Sequence, residues 1–302
     1  MVERVTADAA ALASAAGAHL DLVRAPFTLP RSRLLVFAAG AGGRREVPVD
    51  PAAPIEGVRV CTAEYERRLD DCEVFREIRV LDAAGAPMPV TGIEPQLIEF
   101  GGGAVTLSFA GPAAVSIGLR DEGAVGHVGD GPVFVELHGP RGDVSAPVQR
   151  IALAGAAASV CLEIAPDRSA TITTADAAQH REHVAASERL WLDWFAKTPR
   201  VRPDLQEMTA FCWWVLGANI VELPALGNAR AVVPSKIGYV GLWQWDAYFI
   251  AVGLSHGDPD LAREQLQLAF RFPSADGQLP DVVHEEGILA TSDDLPPADR
   301  ET

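Results

Sequence analysis

The densest grouping of chemically capable side chains lies in residues 233 to 254, VPSKIGYVGLWQWDAYFIAVGL, where Tyr239, Trp243 and Trp245 cluster with a single acid, Asp246, ahead of an apolar helix. Sugars present apolar C–H faces and hydroxyl-rich edges. A site for them stacks an aromatic ring on one and aims a carboxylate at the other, because an ionised oxygen pair accepts strongly from adjacent hydroxyls. Asp246 also suits a helix N-terminus, where the dipole stabilises its charge. The same residue types fit a plainer account, with the rings in the core and the acid as a helix cap. That account predicts that both Trp243 and Trp245 are buried away from any cleft.

Other candidates carry less. His284-Glu285-Glu286 near Asp281 lacks the HExxH spacing that puts two histidines on one helical face, so a solvated loop is expected there. Asp293-Asp294 precedes Pro296-Pro297 and reads as an exposed turn. There is no Gly-x-Ser-x-Gly elbow for acyl transfer, and no GxGxxG opens a helix, so the glycine clusters are read as turns. His180 and His183 are expected on the polar, solvent side of a helix. Cys61, Cys72, Cys161 and Cys212 follow no metal or disulfide spacing and are expected as buried free thiols. No cofactor or metal is called for.

Composition narrows the partners. The chain has 302 residues and a formal net charge of -16, with no basic stripe for nucleic acid and no polybasic run for an anionic membrane. The substrate is therefore expected to be neutral, or small enough to be handled by a local site. The Ala-rich N-terminus carries Glu3 and Asp8 and lacks a bulky apolar run, so a cytoplasmic protein is expected rather than a secreted one.

These residues need elements to hold them. From about 30 to 175, short apolar runs alternate with turn signals: Leu34–Phe37 ending in Gly40–Gly43, then Val74–Val80, Leu97–Phe100, Val105–Phe109, Ala114–Leu119, Val133–Leu137 after Asp130-Gly131-Pro132, Val160–Ile164 and Ala170–Thr173. Gly101-Gly102-Gly103 between two of them predicts a hairpin loop with positive φ. The pattern predicts an antiparallel β-sandwich. At Asp176 the period turns helical, with a capping box to Gln179 and an apolar face through Val184, Trp191, Trp194 and Phe195, ending at Thr198-Pro199. A second helix is expected from about 204 to 222 with Leu205, Met208, Cys212, Val215 and Asn219 along its inner side. A third begins near Trp245, and a fourth at Asp258-Pro259, with Leu261, Leu266, Ala269 and Phe270 as its apolar positions.

The string Tyr239-x-x-x-Trp243-x-Trp245-Asp246-x-Tyr248-Phe249 resembles the substrate-binding signature of glycoside hydrolase family 63 and trehalase-like enzymes, a group that includes α-glucosidases and hydrolases of glucosylglycerate and mannosylglycerate. Pro234-Ser235-Lys236 upstream and Asp276-Gly277-Gln278-Leu279-Pro280-Asp281 downstream fit the same pattern, so the likeness spans roughly residues 205 to 290. The resemblance implies a two-domain chain: an N-terminal antiparallel β-sandwich, residues 1–175, followed over residues 176–302 by the first helices of an (α/α)6 barrel of the six-hairpin glycosidase type. It implies that Tyr239, Trp243, Trp245 and Asp246 bind the sugar being cleaved. It also implies inverting hydrolysis by an Asp acid and a Glu base, with carboxyls roughly 6.5–9.5 Å apart to admit a water. Twelve barrel helices need at least about 180 residues, whereas 302 − 176 = 126 follow Asp176. The expectation is therefore a truncated barrel with its catalytic pair after Thr302 and with helix faces open to association. The alternatives are a trehalase or other α-glucosidase of the same fold, or a non-catalytic carbohydrate-binding protein.

Overall fold

The apolar runs become strands where side chains alternate between a core and something else. A computed structural model of the chain describes residues 2–39, 53–65, 67–121, 131–140, 147–223, 226–284 and 287–289. The runs at Gly40–Gly43 and Asp293-Asp294, together with Asp130, Glu285 and Glu286, lie outside the described residues. The chain opens with helix α1 (Val2–Gly17), then β1 (Leu34–Ala38), β2 (Gly57–Thr62), β3 (Glu73–Leu81), β4 (Val90–Glu94), β5 (Leu97–Phe100), β6 (Val105–Gly111), β7 (Ala114–Leu119), β8 (Val133–His138), β9 (Gln149–Leu153), β10 (Ser159–Ile164) and β11 (Ala170–Ala175). They form two antiparallel sheets, one of order β1-β2-β3-β8-β9 and one of order β11-β10-β7-β6-β5-β4. The chain leaves the first sheet after β3, lays down four strands of the second, and returns for β8 and β9.

In β6 and β7 the two faces differ. Val105, Leu107 and Phe109 with Val115, Ile117 and Leu119 enter the core, and Phe109 meets Phe27 beside β1 with ring centroids 5.2 Å apart. Thr106, Ser108, Ser116 and Gly118 face the other way, as the two-residue period requires. The β5–β6 hairpin turns through Gly101, Gly102 and Gly103 at φ 56, 71 and 86, values that a side chain would strain, so the glycine run is a steric requirement.

Helix α2 (Ala177–Phe195) lies on that hydroxyl-bearing face, entered through Asp176, whose carboxylate accepts from the Gln179 amide at 2.9 Å. Here the structure corrects one expectation. His180 is fully buried, not solvent-facing, and bridges Thr106 Oγ1 at 2.7 Å and Ser116 Oγ at 2.8 Å. The sheet surface it meets offers hydroxyls rather than methyls, so a polar ring is the side chain that fits. Gly118 makes the approach possible, since a Cβ there would come within 2.7 Å of the imidazole.

Helix α3 (Gln206–Ala218) follows a short 3-10 turn at Pro203–Leu205. Its inner face also differs from expectation. Ala210, Trp213, Trp214, Gly217 and Ala218 are buried, while Leu205, Met208 and Cys212 are exposed. Burying two indoles, each worth about 150–250 Å² of apolar surface, outweighs covering a leucine and a methionine. The Trp194 and Trp213 rings stack at 5.0 Å, and each indole N–H donates to the other residue's carbonyl, at 2.8 and 3.0 Å. Helix α1 packs against both α2 and α3, with His19 pairing Glu207 at 3.1 Å, so the first residues of the chain belong to the helical layer.

The remainder is β12 (Ile220–Leu223), β13 (Ala229–Val232), β14 (Gly241–Trp243), α4 (Gln244–Leu254), α5 (Pro259–Ala269), β15 (Val282–His284) and β16 (Gly287–Leu289). Helix α5 starts where expected, with Asp258 accepting from the Leu261 amide at 3.0 Å. Of its expected apolar positions, Leu261 and Ala269 are buried and Phe270 is exposed. Buried Gln265 ties α5 to β13 by accepting from the Val232 amide at 2.7 Å and donating to the Arg230 carbonyl at 3.1 Å. No described helix is long and apolar enough to cross a membrane.

Candidate functional site

The segment from Pro234 to Phe249 runs through a tight turn, a three-residue strand and a helix. Gly238 takes φ 77, which reverses the chain just ahead of Tyr239, and β14 then leads directly into α4. Trp243 occupies the position before the helix and offers no capping oxygen. The first helical amide, on Gln244, instead donates to the Asp281 carbonyl at 2.9 Å. Asp246 sits in the first turn of α4, where exposed amides and the helix dipole favour a negative charge.

Strand pairing joins the two separated sequence motifs. β14 runs antiparallel to β15, with Trp243 opposite Val282 and Leu242 opposite Val283, so the stretch ending at Asp281 lies beside the start of α4. The Asp276–Gln278 part of that stretch closes a turn. Gly277 takes φ 88, and the Ser274 amide donates to the Gln278 carbonyl at 2.8 Å. The Asp276 carboxylate accepts from the Ser274 hydroxyl and from the Gln278 amide, and these bonds hold its pKa below the usual carboxylate range. Asp276 is thus a turn-former, already occupied.

Around Trp243 the aromatic side chains make a connected group. Tyr239 meets it at 5.4 Å between ring centroids, and Tyr65, from the loop after β2, stacks on it at 5.7 Å. Trp243 and Tyr65 are half-buried and Tyr239 is exposed. On α4, Trp245 is 75% exposed and touches Phe249 at 5.5 Å, and Phe249 touches Tyr248 at 5.2 Å. The all-core account of these residues therefore fails at Trp245. Asp246 is half-buried, and among the described residues nothing donates to its carboxylate. Rings with open faces and a carboxylate with open lone pairs are the two complements a saccharide needs.

Lys236, three residues ahead of Tyr239, is fully buried. Its Nζ donates to the Leu29 carbonyl at 3.1 Å and to Thr28 Oγ1 at 3.3 Å, without a carboxylate among the described residues. Burial, with Arg33 nearby, drives its pKa well below the ordinary lysine value. The thiols of Cys61 and Cys72 are buried and pushed up to about 11 and about 12 by burial, so both stay protonated. The described residues contain no cluster of three or more His, Cys, Asp or Glu able to hold a metal.

Sequence reasoning missed Tyr65, and nothing in Ala63-Glu64-Tyr65-Glu66-Arg67 marks it. Only the fold brings it to a residue 178 positions later (243 − 65).

A family model described as the mannosylglycerate hydrolase MGH1-like glycoside hydrolase domain matches residues 239–300. The match begins at Tyr239 and takes in α4, α5 and the Asp276–Asp281 stretch. It supports a glycosidase-like function in general terms and leaves the β-rich region, which lies wholly before it, without a counterpart. No curated protein matches the chain.

Proposed function

We propose that this chain supplies the sugar-binding part of an inverting glycoside hydrolase. The enzyme would remove a residue from the non-reducing end of an α-glucoside or a related small saccharide such as a glycosylglycerate. Tyr239, Trp243 and Trp245 would stack against the C–H faces of the sugar, and Asp246 would accept from adjacent ring hydroxyls. Asp246 is assigned to binding rather than to proton transfer, because inversion needs a separate acid and base spaced widely enough for a water. That pair is placed outside these 302 residues, and the chain is divided near Asp176 into a β-rich part and the opening helices of an (α/α)6 barrel.

The observation that carries the reading is the β14–β15 pairing, which sets the aromatic motif beside the second motif while leaving the Asp246 carboxylate unpartnered among the described residues. A buried core would have satisfied that carboxylate or excluded it.

The test is hydrolysis of trehalose, glucosylglycerate, mannosylglycerate and other small α-glucosides, by the 302-residue chain and by the full open reading frame that contains it. Activity confined to the longer form, and lost on Asp246→Asn, is the expected result. Robust hydrolysis by the 302-residue chain would refute the placement of the catalytic pair and make Asp246 with Asp281 or Glu285 the leading acid and base. Sugar binding without hydrolysis by either form would favour a non-catalytic carbohydrate-binding protein.

A further inference from the structure

The aromatic group around Trp243 is not built from one stretch of chain. Tyr65 reaches it from the loop that follows β2, in the β-rich region, and lies nearly parallel to the Trp243 indole, with 29° between planes. Tyr65 and Trp243 are both half-buried, so the pair is a surface feature and not a core contact. Together with Tyr239, which meets Trp243 at a tilt of 56°, they form a connected aromatic group.

The loop that presents Tyr65 is clamped on both sides. Before it, Thr62 Oγ1 donates to Glu64 Oε1 at 2.8 Å, and Glu64 also takes Arg67 Nε at 3.2 Å and Arg168 Nη1 at 3.3 Å. After it, the same Arg168 nitrogen donates to the Asp71 carbonyl at 2.6 Å. Arg168 belongs to the turn between β10 and β11, in the other sheet, and holds φ 67, a backbone state that a residue with a Cβ adopts at a cost of about 1–2 kcal/mol. Two sheets thus hold the described residues on either side of Tyr65 in place, and Tyr65 sets its ring against Trp243 of the candidate sugar site. Fixing a contact residue before the ligand arrives lowers the ordering cost of binding.

We infer that Tyr65 is a saccharide-positioning residue, so that the β-rich region forms one wall of the sugar site rather than a separate appendage. The inference rests on the reading of Tyr239, Trp243, Trp245 and Asp246 as a sugar site. Stacked on the indole, Tyr65 backs part of one Trp243 face and so fixes where that ring meets a sugar. Its contribution is made mainly through the ring face.

The experiment uses the whole 302-residue chain and isothermal titration with methyl α-glucoside, trehalose and glucosylglycerate. Variants Tyr65→Ala, Tyr65→Leu and Tyr65→Phe are compared with Asp246→Asn, and near-UV circular dichroism reports the packing of the tryptophans in each. Tyr65→Leu keeps apolar bulk under Trp243 while removing the ring face, so it separates positioning from simple filling. The inference expects at least a tenfold loss of affinity in both the Ala and Leu variants, binding within threefold of wild type for Phe, and an unchanged tryptophan spectrum in Leu. Wild-type affinity in Tyr65→Leu would overturn it and leave Tyr65 as packing. If Asp246→Asn abolishes binding while all Tyr65 variants bind normally, the sugar site stands and the inference about its wall is wrong. If the unaltered chain binds none of the three sugars, the sugar-site reading itself falls and takes this inference with it.

Discussion

His180 should make the docking of α2 onto the six-stranded sheet sensitive to mild acid. The imidazole is fully buried between Thr106 and Ser116, and burial, reinforced by the nearby His183 and Arg181, lowers its pKa from 6.5 to about 4. The unfolded chain therefore takes up a proton before the folded one as pH falls. Stability from this group is complete above pH 6.5, declines through the window from 6.5 to 4, and is gone below it. A shift from 6.5 to about 4 corresponds to about 3 kcal/mol at about 1.36 kcal/mol per unit, of which about 2.5 kcal/mol is lost by pH 4.5. His183 is lowered as well and adds in the same direction. The assay is urea denaturation followed by tryptophan fluorescence at pH 7.5, 6.5, 5.5 and 4.5, for wild type and for His180→Gln. At pH 7.5 the variant should be weaker by about 1–3 kcal/mol, because one or both hydroxyls lose a well-aligned partner. As pH falls the two stabilities should converge, crossing by pH 4.5 where the deficit at pH 7.5 is below about 2.5 kcal/mol. Parallel pH profiles for wild type and variant would refute the reasoning, whatever the absolute stabilities.

Three further outcomes follow from the packing. Gly217→Ala would ordinarily favour a helix by up to about 1 kcal/mol; here the new Cβ would lie 2.5 Å from the buried Trp194 indole nitrogen, so thermal melting should show a lower Tm instead. Lys236→Met removes a buried amine that has no carboxylate partner among the described residues, and should raise chemical-denaturation stability at pH 7, because the desolvation cost of the amine outweighs its two hydrogen bonds. Because burial lowers the Lys236 pKa, its penalty deepens as pH falls, so the gain should be larger at pH 6 than at pH 9. Ellman's reagent should modify Cys212 promptly in the native chain, while Cys61 and Cys72 react only on unfolding.

Where local chemistry decides the outcome, the sequence was readable. Gly101-Gly102-Gly103 demanded positive φ and has it, and Asp176 and Asp258 cap helices by bonds to residues three positions on. The alternation in Val105–Phe109 and Ala114–Leu119 told which residues share a face. Among the features that were not legible, three were decided by partners elsewhere in the chain. Strand β2 was missed because Arg59 interrupts it, and that arginine is fully buried against Asp70 at 3.1 Å and Glu73 at 3.8 Å. Helix α3 is apolar nearly all round, so periodicity could not choose its inner face; Trp194 and α1 chose it. His180 looked like a surface residue because its burial depends on hydroxyls 74 and 64 positions earlier. In the candidate site, the motif residues were visible from spacing, whereas Tyr65 could be found only through tertiary structure.

The packing of α1 onto α3 has a consequence for biosynthesis. His19 and Glu207 are 188 positions apart, so the first helix leaves the ribosome long before the surface it covers exists. At about 5–20 residues per second the wait is about 10–40 s. Through that interval α1 has β4 to pack on but lacks the helices that complete the burial of Ala9, Ala13 and Ala16. All strands of the two sheets emerge before α2 and α3, so α1 stays incompletely covered until those helices follow. Whatever is attached directly ahead of α1 acts on that segment during the wait, and soluble yield should respond to it.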